Sequence, residues 1–139
     1  MDAFSLVEDF NVSLIGIDRI EPKPMDEEEK GFLVGCLREE IDELEEAYGQ
    51  DFIAEIDSII DLIYFAIGGL CRMGIPSSLQ RDMFGVVHKA NMLKVAGKKR
   101  RDTEHDLDAV KPEDWVGPEE ELASLLDKYK ANMKHFARR

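Results

Sequence analysis

An all-α domain is what the sequence predicts, and three observations predict it. Apolar residues recur at helical spacing in long runs, and no stretch alternates apolar and polar residues over strand lengths between hairpin turns. Glycine and proline punctuate those runs at Gly16, Pro22, Pro24, Gly49, Gly74, Pro76, Gly97 and Pro118. At 139 residues the chain has room for one core. The expected architecture is therefore a single domain over residues 1–139. It comprises a four-helix bundle with its core over about 25–96, a basic loop at 97–114 and an additional C-terminal helix over about 118–135.

Taken in order, a short helix is expected over about residues 2–11, then a loop carrying Gly16, Pro22 and Pro24. Met25 to Tyr48 reads as a long helix whose first turn is acidic (Asp26, Glu27, Glu28, Glu29), the polarity that a helix dipole favours. Gly49 ends it. Asp51 has the chemistry of an N-cap for a third helix, which runs to about Met73 and stops at Gly74 and Pro76. The two-residue connection makes the second and third helices antiparallel neighbours. Ser77 or Ser78 caps a fourth helix to about Ala96, and Pro118 opens the last, through about His135. The third helix is apolar nearly all round (Phe52, Ile53, Ile56, Ile59, Ile60, Ile63, Tyr64, Ile67, Leu70), so it is expected to be the central buried one.

Composition excludes several function classes. The chain carries 18 Lys+Arg against 30 Asp+Glu, a net charge of -12, which disfavours stable nucleic-acid or anionic-lipid binding. A hydrophobic content of 44% is too rich for an acidic disordered tail. The amino terminus lacks the basic and apolar regions of a secretory signal, and the longest apolar stretch, Leu62 to Cys71, is about half a membrane span. Cys36 and Cys71 have no metal-ligand spacing and read as buried free thiols of a reducing cytoplasm. Acids and bases are also segregated: residues 1–61 hold 19 acids and 4 bases, residues 62–139 hold 11 acids and 14 bases. Such polarity suits a site with divalent metal on one wall and polyphosphate on the other, although solvated helix faces give the same count.

The informative carboxylates are those that interrupt apolar stripes. On the second helix the stripe Leu33, Cys36, Leu37, Leu44, Ala47, Tyr48 contains Glu40 in its middle, and an uncompensated carboxylate there costs several kcal/mol. Glu43 lies one turn along the same edge, and Glu39 is four residues before it. Asp57 and Asp61 of the third helix share one side and fall within packing distance of the second. Hard oxygen ligands from two adjacent helices suit Mg²⁺ or Mn²⁺; a salt-bridged acid pair is the alternative. Asp42, Glu45 and Glu46 lie further round and read as solvated. On the fourth helix Asn91 interrupts an apolar face three residues before Lys94, an amide and an ammonium placed to bridge phosphates, or else a helix-packing hydrogen bond. Lys89 to Arg101 holds six basic residues and no acid. Phe10, Asn11, Phe32 and Trp115 are candidates to stack on or read a nucleobase. The histidines His88, His105 and His135 are scattered, and neither a Glu-x-x-His pair nor a glycine-rich phosphate loop is present.

The run Glu39-Glu40-Ile41-Asp42-Glu43 matches an EExxE motif. With Asp57 to Tyr64, Asn91 to Lys94 and the tail Lys111 to Glu119, it resembles the all-α nucleoside triphosphate pyrophosphohydrolases. These are the MazG-like and phosphoribosyl-ATP pyrophosphohydrolase-like superfamily, in its small single-domain phage and bacterial form, and the similarity spans about residues 30 to 119. The resemblance implies hydrolysis of an NTP or dNTP between the α and β phosphates in a bacterial or phage-infected cytoplasm. It also implies Mg²⁺ (or Mn²⁺) held by Glu40, Glu43, Asp57 and Asp61, with Glu39 orienting or deprotonating the water. Lys94, with Lys89 or Arg101, would stabilise the pyrophosphate leaving group, and the protein would be a homodimer or homotetramer. Related phage enzymes act on dGTP, which extends the implication to a purine dNTP. The second motif of the family is usually ExxD, but Ser58 stands three residues before Asp61, and Asp57 is expected to replace the missing Glu in preference to Glu55. Two other readings stay open: phosphoribosyl-ATP pyrophosphohydrolase, and a non-catalytic helical interaction module.

Overall fold

The computed structural model describes residues 1–97 and 108–137. Arg101 and the other basic residues of 98–100, together with His105, lie outside the described residues. Five α-helices and one short β-ribbon are present among the described residues, which makes the fold all-α as the sequence predicts. They are α1 (Ala3–Asp9), α2 (Glu27–Ala47), α3 (Phe52–Arg72), α4 (Ser77–Met92), β1 (Val95–Gly97), β2 (Asp108–Val110) and α5 (Glu119–Ala137). The chain divides into two compact units, Met1–Gln80 and Arg81–Arg139, and the division falls within α4.

In the first unit, local chemistry sets each boundary. Asp2 caps α1 by accepting from the Ser5 N–H at 2.9 Å. The helix then continues as a π-helical turn, Phe10–Leu14, closed by the Ile15 N–H on the Phe10 carbonyl at 3.2 Å. α2 starts two residues later than expected, because Asp26 is its cap: its carboxylate accepts from the Glu29 N–H while the Glu29 side chain accepts from the Asp26 N–H. Asp51 caps α3 through the N–H groups of Ile53 and Ala54, as the sequence suggests. Glu55 reaches back so that its Oε1 accepts from the Gly49 N–H at 2.9 Å, closing the short turn between α2 and α3.

α2 and α3 form the main contact of this unit, an antiparallel hairpin, and α1 lies on α3. Gly69 lets the two long helices approach: a Cβ there would stand 2.6 Å from Leu33 Cδ2. Val7, Ile67 and Cys71 make the core cluster, with Phe4 and Tyr64 packed against it. The segment between α1 and α2 is pinned by Arg19, whose guanidinium grips Glu29 at 2.7 and 3.2 Å and donates to the Arg72 carbonyl. Glu29 is thus an ion-pair partner as well as an acid of the first turn. Gly74, at φ +76°, passes so close to the Glu21 carbonyl that a Cβ would meet it at 2.6 Å. Glu8 ties α1 to the start of α4 by accepting from the Ser77 N–H (2.9 Å) and hydroxyl (2.6 Å).

The expectation that α3 is buried all round holds for half of it. α1 covers Ile67 and Cys71, but Phe52, Ile53, Ile56, Ile59, Ile60 and Ile63 remain 39 to 72% exposed. One chain supplies a hairpin and one short helix here, too little surface to enclose a 21-residue helix that is apolar nearly all round. Cys71 is buried and Cys36 half-buried, both free thiols. Among the described residues, no single helix is long and apolar enough to cross a membrane.

The second unit corrects two boundaries. The fourth helix ends at Met92 rather than near Ala96, and Val95–Gly97 pairs antiparallel with Asp108–Val110 in the register Val95↔Val110, Ala96↔Ala109, Gly97↔Asp108. Three-residue strands are too short to show a period-two pattern, so the ribbon left no mark in the sequence. Trp115 donates from Nε1 to the Ala90 carbonyl at 2.7 Å, and α5 is amphipathic with no fully buried residue.

Candidate active site

The hairpin assembles the carboxylates that the sequence singles out. Glu40 is 8% exposed, and its Oε2 is a buried oxygen with no hydrogen-bond partner. Burial, reinforced by the charges of Glu43, Asp61, Asp57 and Glu39, raises its pKa above the ordinary carboxylate value. The four acids behind that repulsion are the four expected to share its cleft. Asp61 is half-buried, whereas Glu39, Glu43 and Asp57 are exposed. None of the five forms a salt bridge among the described residues.

Glu43 and Asp57 line one groove of about 310 Å³ with Glu46, Gln50, Asp51 and Ser58, at the end of the hairpin nearest its turn. Glu46, read from sequence as solvated, therefore borders the groove. Ser58, at the position where the motif would have Glu, is 3% exposed and its hydroxyl donates to the Ala54 carbonyl at 3.0 Å. It faces inward and offers no charge. Glu55 is held by the Gly49 N–H, which leaves Asp57 as the acid of that turn that lines the groove. Among the described residues no three Asp, Glu, His or Cys side chains converge tightly enough to hold a cation as they stand.

A second, apolar pocket of about 160 Å³ opens in the same unit. Phe10 and Asn11 of the π-helical turn, Phe32 and Leu33 of α2, and Tyr64 and Phe65 of α3 form its walls, with Ile15, Gly68 and Arg72 completing it. Phe10 and Tyr64 meet edge to face at 5.5 Å, and the Arg72 guanidinium stands 4.6 Å over the Phe32 ring. Three of the four residues suspected of reading a nucleobase, Phe10, Asn11 and Phe32, thus share one pocket. Tyr64, Phe65 and Arg72 were not singled out for that role, because their contact with residues about 40 to 55 positions earlier has no local signature. The Gly68-Gly69 pair inside an apolar helix was the available hint of close approach.

Trp115 belongs to the second unit. Its ring carries Lys94 at 5.2 Å and Lys111 at 4.6 Å, and its Nε1 is anchored on Ala90. Lys89 pairs with Glu121 at 2.9 Å on the surface. Asn91 is exposed near the end of α4, and its carbonyl accepts from the Lys94 N–H at 3.0 Å.

The family match makes the chain an all-α hydrolase acting on phosphoric anhydrides, of the MazG-like nucleotide pyrophosphohydrolase superfamily. Within it the chain belongs to the phosphoribosyl-ATP pyrophosphohydrolase family, whose sequence model matches residues 7–91. That span covers the apolar pocket, the carboxylates and Asn91. It begins well before residue 30 and stops short of Lys94 and Trp115, so it differs at both ends from the span over which the motifs suggest the resemblance. No curated protein matches the chain.

Proposed function

We propose that the protein is a metal-dependent nucleoside triphosphate pyrophosphohydrolase that cleaves an NTP or dNTP between the α and β phosphates, releasing the monophosphate and pyrophosphate. The observation that carries this reading is Glu40: a buried carboxylate with an orphaned oxygen, facing four like charges and, among the described residues, no salt-bridging cation. A folded chain tolerates that arrangement when a bound cation compensates it. The donor set is all carboxylate, which fits Mg²⁺ or Mn²⁺. Glu39, Glu43 and Asp57 are exposed and free to rotate inward to join Glu40 and Asp61. Bound there, the metal supplies charge neutralisation for the triphosphate and acidifies a coordinated water.

The protein's own part is to position and to move a proton. Glu40, Glu43, Asp57 and Asp61 hold the cation, and Glu39 at the edge of the cluster takes the proton of the water that adds to phosphorus as the α–β bridging P–O bond breaks. Lys94 and Asn91 receive their phosphate-side role from the family resemblance. A purine dNTP such as dGTP is the substrate we favour, its base in the apolar pocket. Gly68 follows Asp61 by seven residues and Phe32 precedes Glu40 by eight, so pocket and carboxylates stand roughly 10 Å apart along the hairpin, a distance that a sugar and two phosphates bridge.

The uncovered face of α3 supports a homo-oligomer, a dimer or a tetramer, in which a second copy encloses Phe52 to Ile63. Incubation with each NTP and dNTP plus Mg²⁺ or Mn²⁺, resolving monophosphate and pyrophosphate from diphosphate and phosphate, tests the activity. Release of neither pair of products would sink it. Phosphoribosyl-ATP belongs in the same panel because the matched family bears that name; turnover of it alone would decide for that second reading.

A further inference from the structure

We infer that Arg19 is a positioning residue of the apolar pocket: it holds Arg72, the cation in the pocket lining, in place over Phe32 to meet a bound nucleobase. The inference rests on the proposed placement of a base in that pocket and adds how its polar corner is kept in position.

Arg72 is the last residue of α3, and the residue four positions on, Pro76, has no N–H to give, so the Arg72 carbonyl is left without a helical partner. Arg19 supplies one from the segment between α1 and α2. The same guanidinium forks onto Glu29, Nη2 donating to Oε1 at 2.7 Å and Nη1 to Oε2 at 3.2 Å. Glu29 stands one helical turn before Phe32 on α2, and Phe32 is the ring over which the Arg72 guanidinium sits at 4.6 Å. Arg19 therefore holds both partners of that contact, Arg72 by its own backbone and Phe32 by the turn that precedes it. The Arg19 and Glu29 side chains are only 18% and 19% exposed, and a planar fork can span carboxylate and carbonyl together where a single ammonium cannot.

The rest of the segment is fastened independently. The Ile17 N–H donates to the Asn11 carbonyl and the Lys23 N–H to the Met73 carbonyl, both at 2.9 Å, and the reciprocal Asp26–Glu29 cap starts α2 without Arg19. Leu33 on Gly69 keeps the two long helices together one turn further in. Among the described residues Arg72 forms no salt bridge, so no carboxylate holds its guanidinium once the Phe32 contact loosens. Loss of the Arg19 side chain should thus leave the fold standing and release one corner of the pocket.

The first test needs no ligand. Heteronuclear NMR of the arginine side chains in the full chain, with the Arg72 signal assigned by its loss in Arg72→Lys, should show that signal displaced by the Phe32 ring current. In Arg19→Met it should move to the position of a free arginine while the Leu33 methyl signals stay. An Arg72 signal that does not move overturns the inference. The second test is calorimetric binding of dAMP and dGMP without metal. Arg19→Met and Arg72→Met should each weaken binding about tenfold, the equivalent of one charge-assisted hydrogen bond. The double variant should lose no more than Arg72→Met alone, because Arg19 acts through Arg72. Losses that multiply would assign Arg19 to general stability and overturn the positioning role. A displaced Arg72 signal that depends on Arg19, in a protein that binds neither monophosphate, supports the positioning and removes the nucleotide reading of the pocket instead.

Discussion

Replacing Ile59 by Glu on the uncovered face of α3 should convert a dimer into a folded monomer. Fully burying an Ile or Phe side chain is worth roughly 1.5–3 kcal/mol, and the six side chains from Phe52 to Ile63 are on average about half exposed. Covering each then contributes about 1 kcal/mol, or about 12 kcal/mol for the two faces of a symmetric pair. Association costs about 4–15 kcal/mol, so this face alone lies near the threshold of stable pairing. Val34, Ile41 and Tyr48 of α2 are also exposed, and enclosing them raises the total to about 18 kcal/mol, enough for sub-micromolar association. A glutamate at position 59 removes the Ile contribution twice and strands two carboxylates in an apolar contact. That amounts to about 6 kcal/mol or more per dimer, over 10⁴-fold in Kd. Sedimentation equilibrium at micromolar concentration, with circular dichroism as the control for fold, reads the outcome. A monomeric wild type, or an Ile59→Glu protein that still pairs, would refute the reasoning.

Glu40→Gln should abolish pyrophosphate release yet raise the melting temperature in EDTA, measured by thermal denaturation. The sign follows from the raised pKa of Glu40. The folded state holds the proton more tightly than the unfolded one, so stability falls as pH rises above the ordinary value of 4.5. The advantage of the Glu40→Gln variant should therefore be present at neutral pH and vanish below about 4.5. Glu29 acts in the opposite direction, its pKa lowered by the Asp26 backbone and Arg19, so its contribution is present at neutral pH and lost as pH falls through the acid range. Gly69→Val should cost about 1–3 kcal/mol in urea denaturation, because its side chain drives into Leu33. The single tryptophan, Trp115, bears two ammonium groups, so Lys94→Met should shift its fluorescence emission, and an unchanged spectrum would contradict the contact.

Caps and turns were legible because their chemistry is local: Asp51, Gly74 and the short α2–α3 connection act within a few residues of themselves. The placement of Glu40 was legible for a similar reason, since helical period alone puts it in the apolar stripe. Burial of α3 was misjudged because periodicity tells which face avoids water, not which chain covers it. Residues 95–97 carry too few positions to distinguish strand from helix. Arg19 found Glu29 and the Arg72 carbonyl across a loop, and Arg72 found Phe32 across the hairpin; such pairings depend on tertiary distance and leave no trace in spacing. The substitution of Ser58 for the expected Glu was visible, but only the turn geometry shows that Glu55 is spoken for and Asp57 lines the groove.

The contact between Gly69 and Leu33 acts as a caliper for the carboxylate cleft. Leu33 packs onto the bare backbone of Gly69, seven residues from Glu40 on one arm of the hairpin and eight from Asp61 on the other. Apolar packing thus helps to set the separation of the two helices that carry the acids. On the proposed metal-binding reading, ion size would have to match a gap set by that packing. Bulk added at position 69 would drive into Leu33 and, on that reading, shift the balance between Mg²⁺ and larger divalent cations.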